Sequence, residues 1–470
     1  MTHVLSIDTL LLRDAELDDG RRADVRIAAG RIAEIAPALP RRFGEETVDC
    51  GGGALLPGLA DHHLHLHALA AQQHSVRCGP PAVRDRASLG AALAAATPDE
   101  HGWIRGTGYH ETVAGDLDAA ALDGIHTHHP VRIQHRSGAL WMLNTTAATA
   151  LALADGDHPG IERNADGTPT GRLWRADDWL RTRLPRTRPP GLADIGQELA
   201  RLGITRVTDA TPDLAPDALA AITADMESGA LPQRVHLLGA ALGTSLDGSS
   251  TRRPTVGPYK IVLADSGLPT LDDLVERIRA AHADGRGVAV HAVTREALVL
   301  LLVALREAGP RPGDRIEHAA LVPGELIDDI AALGLRVVTQ PGFLADRGDA
   351  YARDVPADDH ADLYRCRSLT DAGIPLGLSS DAPYGPLDPW AVIAAAAQRT
   401  TPLGSVLTPD ETLTPAAALD SYLSPLTDPG GPPRRVRSGE PADLVLLHTG
   451  RATALAGPTS ALVRMTLVGA

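Results

Sequence analysis

Lysine is almost absent from this sequence of 470 residues. Lys260 is its one lysine, and every other member of its 44 Lys and Arg residues is arginine. A guanidinium keeps its proton in proteins, whereas a buried lysine amine can lose its proton and then react as a nucleophile. Lys260 lies in a strand-like apolar run at residues 257–263, so we expect a chemical role for it. The alternative is an ordinary lysine in a chain that favours arginine.

Cysteine is also scarce, and long apolar runs and a positive net charge are missing. The three cysteines, Cys50, Cys78 and Cys366, lie far apart, which argues against a disulfide framework. No apolar stretch reaches about 18 residues, and no basic N-terminal segment leads into a cleavable apolar run, so we predict neither a membrane span nor a signal peptide. The formal net charge of -15 argues against a nucleic-acid partner. We therefore expect a cytoplasmic protein that acts on a small molecule, with homo-oligomer formation left open.

Histidine and aspartate, in contrast, occur where predicted strands end. His63 and His65 form a His-x-His pair, and a strand places two such side chains on the same face. Two neutral imidazoles on one face make half of a metal site. His291, His318 and Asp381 each follow a short apolar run and open into a turn, so each is predicted at the C-terminal end of a strand.

The spacing of these residues predicts a (β/α)8 barrel, an α/β fold. Lys260 precedes His291 by 31 residues, His291 precedes His318 by 27, and Asp381 follows after 63, which is two such steps. One βα unit of a barrel takes about 31 residues, and the active site lies at the C-terminal strand ends. Residues 335–340 supply the skipped strand. Helical periodicity is found between the strands, at residues 271–283, 295–308 and 326–332.

The first of these strands carries the most specific motif. Pro57-Gly58-Leu59-x-Asp61-x-His63-x-His65, followed in order by Lys, His, His and Asp, resembles the amidohydrolase superfamily of metal-dependent hydrolases. Within that superfamily the sequence is most similar to the YtcJ-like branch, which includes N-substituted formamide deformylases. The segments that carry this finer resemblance are Trp103-Ile104-Arg105-Gly106-x-Gly108-Tyr109, Asp166-Gly167-x-Pro169-Thr170-Gly171 and the Lys260 strand.

The resemblance implies two divalent metal ions as cofactors, with zinc expected, and an N-carboxylated Lys260 whose two oxygens bridge them. His63, His65 and Asp381 would complete one metal site, and His291 and His318 the other. A hydroxide between the ions would attack the carbonyl carbon of an amide or formamide-like group. Asp381 would be the catalytic residue that takes the proton of the hydroxide and delivers it to the leaving nitrogen.

Two further histidines, His62 and His67, lie close to His63 and His65, so more than one His-x-His pair can be chosen as the metal ligands. The Pro57-Gly58-Leu59-x-Asp61 anchor selects His63 and His65 as ligands, which points His62 to the opposite face. His67 shares the ligand face and lies further into the loop, where we expect contact with substrate. Asp61 lies one pleat deeper on the ligand face, placed to receive a ring N–H from a ligating histidine.

Three other functions remain open. A mononuclear deaminase of the same superfamily typically carries His-x-x-Glu at the fifth strand, where this sequence has His291-Ala292-Val293-Thr294. A lactone, ester or phosphoester hydrolase could use the same two-metal centre. A non-catalytic scaffold would be marked by an unfilled ligand position, and all six positions are filled here.

The domain organisation follows from strand patterns at both ends of the chain and from one long gap. Residues 1–56, with strands predicted at 4–7 and 10–12, and residues 434–470 are expected to pair into a small β-sandwich, as the resemblance implies. The barrel would span residues 57–433. About 135 residues separate His67 from the next barrel strand, far more than one βα unit needs, so we predict an inserted cap subdomain at residues 70–195, after the first barrel strand.

This insert is predicted to bind substrate. It holds four of the five tryptophans of a chain with 3% aromatic residues, which is typical of an apolar substrate pocket. The alternative is that a small subdomain needs large side chains in its core. The candidate substrate contacts in the insert are Tyr109, His110, Arg136, Trp141 and Asn144. Arg136 would suit a carboxylate or a carbonyl oxygen.

Overall fold

The computed structural model describes residues 9–185, 189–246, 252–264 and 267–469. The strand predicted at residues 4–7 lies outside the described residues. The chain divides into two compact units: a main unit of Met1–His67 with Gly191–Ala470, and an insert unit of Ala68–Pro190. The sequence analysis places the insert at residues 70–195.

The strands of the first part of the described chain are β1 (Thr9–Glu16), β2 (Arg22–Ala28), β3 (Arg31–Ala36), β4 (Glu46–Asp49), β5 (Leu55–Pro57), β6 (Leu59–Leu64), β7 (Val76–Arg77), β8 (Ile104–Tyr109), β9 (Val131–His135), β10 (Leu140–Leu143), β11 (Ile161–Arg163) and β12 (Pro169–Trp174). The remaining strands are β13 (Ile204–Asp209), β14 (Arg234–Leu237), β15 (Thr255–Val256), β16 (Tyr259–Val262), β17 (Val288–Ala292), β18 (Arg315–His318), β19 (Arg336–Thr339), β20 (Leu376–Leu378), β21 (Leu444–Leu447) and β22 (Val463–Leu467).

The α-helices are α1 (Leu66–Gln73), α2 (Arg86–Ala94), α3 (Glu111–Ala114), α4 (Ala119–Asp123), α5 (Thr145–Ala150), α6 (Asp177–Arg183), α7 (Ala193–Arg201), α8 (Pro216–Ser228), α9 (Leu271–Ala283), α10 (Arg295–Ala308), α11 (Ile327–Ala332), α12 (Gly342–Asp354), α13 (Cys366–Asp371), α14 (Pro389–Gln398), α15 (Pro415–Leu423) and α16 (Arg451–Ala456). Across the described ranges, none of the helices is both long and apolar enough to cross a membrane.

Two parallel sheets form the centre of the main unit. One has the strand order β15-β14-β13-β6 and the other β16-β17-β18-β19-β20. Helices follow most of these strands, and the strand residues are largely buried, as expected of parallel strands that are covered on both faces. The helices predicted at residues 271–283 and 295–308 are confirmed as α9 and α10, and the strand predicted at 335–340 is confirmed as β19.

Backbone hydrogen bonds connect the two parallel sheets at both of their margins. The Lys260 N–H donates to the Leu238 carbonyl at 3.0 Å, just after β14. At the other margin, the Asp381 N–H donates to the His63 carbonyl and the His65 N–H to the Ala382 carbonyl, both at 2.8 Å. The C-terminal ends of β20 and β6 are therefore held together.

The two ends of the chain contribute two smaller sheets to the main unit. The order β3-β2-β1-β4 forms one, and β22-β21-β5 forms the other. One hydrophobic cluster contains buried residues from both sheets, among them Leu10, Val25, Leu444 and Met465. The N-terminal and C-terminal segments thus share a core.

The insert unit has its own six-stranded sheet, in the order β11-β12-β10-β9-β8-β7. Two hydrophobic clusters lie within it. Tyr109 belongs to the first, and Trp103 and Trp141 belong to the second. The unit therefore has a core of its own, built in part from the rare aromatic residues, and the chain as a whole is a mixed α/β protein.

Candidate metal centre

The ends of the parallel strands carry the residues that the sequence predicts as metal ligands. His63 lies in β6, Lys260 in β16 and His291 in β17. His318 is the last residue of β18, and Asp381 lies three residues beyond β20. C-terminal strand ends of a parallel sheet face the same side, which is where α/β folds place their ligands.

His63, His65 and Asp381 form the tightest part of the cluster. The Asp381 Oδ1 lies 3.5 Å from His63 Nε2 and 3.2 Å from His65 Nε2. One ligand atom from each residue lies within 4.8 Å of the other two, so the three together can hold a metal ion. The structure thereby brings together the three residues that the sequence assigns to one metal site.

His318 and His291 extend the cluster. The His318 Nδ1 lies 3.8 Å from Asp381 Oδ2. The ring centroid of His318 lies 4.7 Å from that of His63 and 4.5 Å from that of His291. Lys260 is buried beside them and acts electrostatically on both His63 and His318.

Two residues of the cluster have left-handed backbone conformations. His318 has φ of 72° and Asp381 has φ of 53°. Non-glycine residues in this region cost about 1–3 kcal/mol and are found preferentially at functional sites. The Thr339 hydroxyl donates to the His318 carbonyl at 2.7 Å and helps to hold the turn.

Glu317 fixes the orientation of His63. Its buried carboxylate accepts a hydrogen bond from His63 Nδ1 and another, at 2.5 Å, from Arg315 Nε. Because Nδ1 is occupied, Nε2 is the nitrogen that faces Asp381. The sequence predicts this role for Asp61, and that prediction is wrong, because the Asp61 carboxylate accepts the backbone N–H groups of His63 and Ser380.

Gln340 fixes the orientation of the His318 ring, as Glu317 does for His63. Its Oε1 lies 2.9 Å from His318 Nδ1, and its Nε2 donates to the Ser379 hydroxyl at 2.9 Å. The amide therefore accepts from the ring, which leaves His318 Nε2 for a metal ion. Sequence reasoning missed both Gln340 and Glu317. Their positions are the signal that could have found them. Glu317 directly precedes the predicted ligand His318, and Gln340 is the last residue of the strand predicted at residues 335–340.

Buried atoms without hydrogen bonds show that this pocket suits a cation. Among the described residues, His63 Nε2 and Asp381 Oδ1 are both buried and lack a hydrogen-bond partner. Leaving such groups unsatisfied costs about 1–3 kcal/mol each. Imidazole nitrogens and carboxylate oxygens are both ligands of zinc. Here the two atoms face one another without a hydrogen bond between them, as they would on either side of a metal ion.

The protonation states also suit metal binding. Burial lowers the pKa of His63 well below its usual value, and the charge of Lys260 adds to this effect. Burial alone would raise the pKa of Asp381, but its imidazole neighbours, His65 first among them, hold it well below its usual range. Burial lowers the pKa of Lys260 to about 8, against the opposing charges of Glu317 and Asp381. Metal ligands must be deprotonated, so the shifts of His63 and Asp381 favour metal binding, whereas the Lys260 amine still has to lose its proton near neutral pH.

Two further histidines of the first-strand motif have clear positions. His62 points away from the cluster, as the sequence predicts, because its Nε2 contacts the Ser421 carbonyl at 3.1 Å and the Ser424 hydroxyl at 2.9 Å. His67 lies in α1, and its Nε2 contacts the Ala218 carbonyl at 3.2 Å. Contact between His67 and substrate stays a prediction.

The five candidate substrate contacts of the insert lie within the insert unit. The Tyr109 hydroxyl donates to the Gly115 carbonyl at 2.6 Å, and Trp141 Nε1 donates to Asp177 at 2.9 Å. Asn144 is fully buried and caps α5. His110 Nε2 lies 3.5 Å from the carboxylate of Glu111. The backbone N–H of the fifth, Arg136, donates to the Tyr109 carbonyl at 2.9 Å. Their contact with substrate stays a prediction.

Comparisons with known proteins agree with this geometry. The Amidohydrolase family matches residues 46–469. YtcJ of Bacillus subtilis (strain 168), named as an amidohydrolase, is 24% identical over 409 residues, covering 77% of this chain and 77% of that protein. The N-substituted formamide deformylase of Arthrobacter pascens is 24% identical over 493 residues, covering 90% of this chain and 89% of that protein.

A solved structure shows the same fold. An uncharacterised metal-dependent hydrolase from Pyrococcus horikoshii OT3 aligns with a TM-score of 0.74 and 20% identity over 94% of this chain and 97% of that chain. The match over nearly the whole sequence shows that this chain belongs to the Amidohydrolase family. The chain is therefore a hydrolase of carbon–nitrogen bonds other than peptide bonds, as the sequence predicts.

Proposed function

We propose that this chain hydrolyses an amide or formamide-like carbon–nitrogen bond in a small molecule. The observation that carries the proposal is the convergence of His63, His65 and Asp381 at the strand ends, with His318 adjoining them. The formamide deformylase of Arthrobacter pascens supports the choice of bond.

The histidine and aspartate side chains at the strand ends suit two divalent ions. Zinc is the expected metal, because imidazole nitrogens and carboxylate oxygens are among its usual ligands in proteins. His63, His65 and Asp381 would hold one ion, and His291 and His318 the other. When bound, the ions would supply a water of lowered pKa as nucleophile and would polarise the scissile carbonyl.

Lys260 would join the two sites as an N-carboxylated residue. Its neutral amine would form a bond to the carbon of carbon dioxide and release one proton to solvent, which gives an anionic carbamate with two ligand oxygens. Three observations support this: Lys260 is the one lysine of the sequence, it is buried, and its charge acts on both His63 and His318.

Asp381 would move the proton during hydrolysis. Its carboxylate is ionised, and its Oδ1 is buried and 3.2 Å from His65 Nε2. In the proposed reaction it accepts one proton from the attacking water and donates it to the leaving nitrogen, which restores the carboxylate. The left-handed backbone of Asp381 holds the side chain where it adjoins His63, His65 and His318.

We propose the architecture of the superfamily for the whole chain. Closure of the two parallel sheets into one (β/α)8 barrel is supported by the backbone hydrogen bonds at both of their margins. A β-sandwich from residues 1–56 and 434–470 is supported by the shared core of the terminal sheets. The barrel would span residues 57–433, with residues 70–195 as an inserted subdomain.

Elemental analysis combined with a substrate panel tests the proposal. Protein grown with zinc and bicarbonate should hold about two zinc equivalents more than the His63→Ala/His318→Ala variant, with the fold checked by circular dichroism. Formamides and simple amides should be hydrolysed. A difference of one equivalent with deamination of amino-heterocycles would favour a mononuclear deaminase, turnover of only lactones or phosphoesters would favour an ester hydrolase, and no difference in metal content would favour a scaffold.

A further inference from the structure

A second group of histidines lies in the insert unit, in the connection between α4 and β9. His126, His128 and His129 occur within four consecutive positions, Gly124 precedes them and Pro130 follows them. This run belongs neither to the first-strand motif nor to any of the candidate substrate contacts. It needs an explanation of its own.

The three imidazoles are neighbours. The ring centroid of His126 lies 5.9 Å from that of His128 and 5.8 Å from that of His129. Two imidazoles bound to one zinc ion at about 2.1 Å have centroids about 5 Å apart, so the rings would have to rotate and move closer for their nitrogens to meet at one ion. His128 is exposed and His129 half-buried, which leaves room for such rotations.

His126 also has a ring nitrogen that makes no hydrogen bond. The residue is 9% exposed, and its Nε2 is buried with no hydrogen-bond partner among the described residues. Burial lowers the pKa of His126, with the neighbouring His129 and His128 adding to the shift. A neutral imidazole with such a nitrogen can bind a metal ion.

The backbone that carries the rings is held by one side chain. The buried Asn144 amide donates to the His126 carbonyl at 3.2 Å and to the His129 carbonyl at 2.9 Å. Its Oδ1 accepts the N–H groups of Val131 and Ala147, both at 2.9 Å. Both ends of the histidine run are therefore fixed before any ligand binds, which reduces the entropy lost on binding.

We propose that His126, His128 and His129 bind one divalent transition-metal ion, such as zinc, with solvent completing its coordination. This site is separate from the centre at the strand ends and does not depend on the reaction proposed above. Imidazole donors favour zinc, nickel and copper over calcium and magnesium, which prefer oxygen ligands. Bound there, the ion would cross-link the α4–β9 connection.

Zinc binding to the full chain tests the proposal. The His128→Ala/His129→Ala variant should bind one zinc ion fewer per chain than the unmodified protein after dialysis against zinc. The difference does not depend on how many ions the other centre holds. His101→Ala, an exposed histidine of the same unit, should match the unmodified protein. Equal zinc content in the double variant and the unmodified protein would overturn the proposal.

A second measurement needs no variant. Diethylpyrocarbonate modifies free imidazoles, and mass spectrometry locates the modified residues. Zinc should protect the peptide that contains residues 126–129 at least about tenfold, and calcium should not. The peptide that contains His101 serves as the internal control and should react equally with and without zinc. Equal reactivity of residues 126–129 with and without zinc would also overturn the proposal.

Discussion

Glu317 shows how one carboxylate can set the properties of a proposed metal ligand, His63. It accepts from His63 Nδ1 and so turns Nε2 toward Asp381. We expect Glu317→Gln to weaken metal binding about 10- to 100-fold, because an amide holds the ring less firmly and makes it a poorer donor. Competition with a chelator of known affinity measures this.

A matched control separates this effect from simple loss of stability. Glu411 is also a buried glutamate, but it binds Arg365 and Ser368, away from the metal cluster. Glu411→Gln should lower the unfolding midpoint and leave metal affinity unchanged. An unchanged metal affinity in Glu317→Gln would show that Glu317 has no role in positioning His63.

Lys260 allows a test of the proposed carbamate. Both Lys260→Ala and Lys260→Arg should lose about one to two zinc equivalents, because neither side chain can supply the two bridging oxygens. A short carboxylate such as acetate should restore part of the metal content to Lys260→Ala, where it has room to bind, and not to Lys260→Arg. Full metal content in Lys260→Ala without added carboxylate would contradict the bridging role.

His236 makes a prediction about acid stability. Burial, with the charges of Arg315 and Arg286, lowers its pKa to about 3, against about 6.5 in an unfolded chain. Between these values the unfolded state binds a proton that the native state does not, so stability is present above pH 6.5 and falls as the pH drops, by at most about 1.4 kcal/mol per unit.

Urea midpoints between pH 7 and pH 5 measure this dependence. His236→Gln should show a shallower fall than the unmodified protein, because the titrating group has been removed. His101→Gln, at an exposed position, should follow the unmodified protein. Identical slopes for His236→Gln and the unmodified protein would show that other groups cause the acid loss.

At the level of elements, the sequence predicts the helices and strands whose apolar residues recur at regular spacing. Helices α9 and α10 begin and end where the apolar spacing places them. The strand-end ligands follow from the repeat length of the βα unit. Glu317 does not follow, because strict alternation would put it and His318 on opposite faces. His318 leaves the strand conformation at φ of 72°, and so both residues adjoin His63.

The insert is the part of the chain that sequence patterns describe least. Scarce aromatic residues suggest a substrate pocket there, yet Tyr109 and Trp141 lie in the hydrophobic clusters of the insert unit. Composition cannot tell a pocket from a core, because both need large apolar side chains. Asn144 likewise gives no local signal beyond helix capping, since its four partners come from three different segments.

Asn144 therefore connects β9, α5 and the histidine run. Asn144→Ala removes a helix cap and leaves buried N–H and carbonyl groups unpaired, so we expect a loss of about 2–4 kcal/mol from the insert unit. Asp85→Ala removes the exposed cap of α2 and should cost less than Asn144→Ala. Thermal unfolding of the two variants compares these losses, and equal losses would contradict the connecting role.

At the scale of the whole molecule, the two units should respond to metal separately. An ion that binds only the native state stabilises it in proportion to the logarithm of its concentration over its dissociation constant. The main unit holds the centre at the strand ends, and the insert unit holds the proposed histidine site. Each unit also has its own hydrophobic core. A chelator should therefore loosen two distinct places in the chain.

Hydrogen exchange detects such local opening. On removal of metal, exchange should rise at the C-terminal ends of β6, β18 and β20 and, independently, at residues 124–131. In the His128→Ala/His129→Ala variant, added zinc should slow exchange at the strand ends alone, because the insert has lost its ligands. In the Glu317→Gln variant, a moderate zinc concentration should slow exchange at residues 124–131 and not at the strand ends. Protection that always changes together in both places would contradict two independent sites and would indicate one metal-dependent unfolding event for the chain.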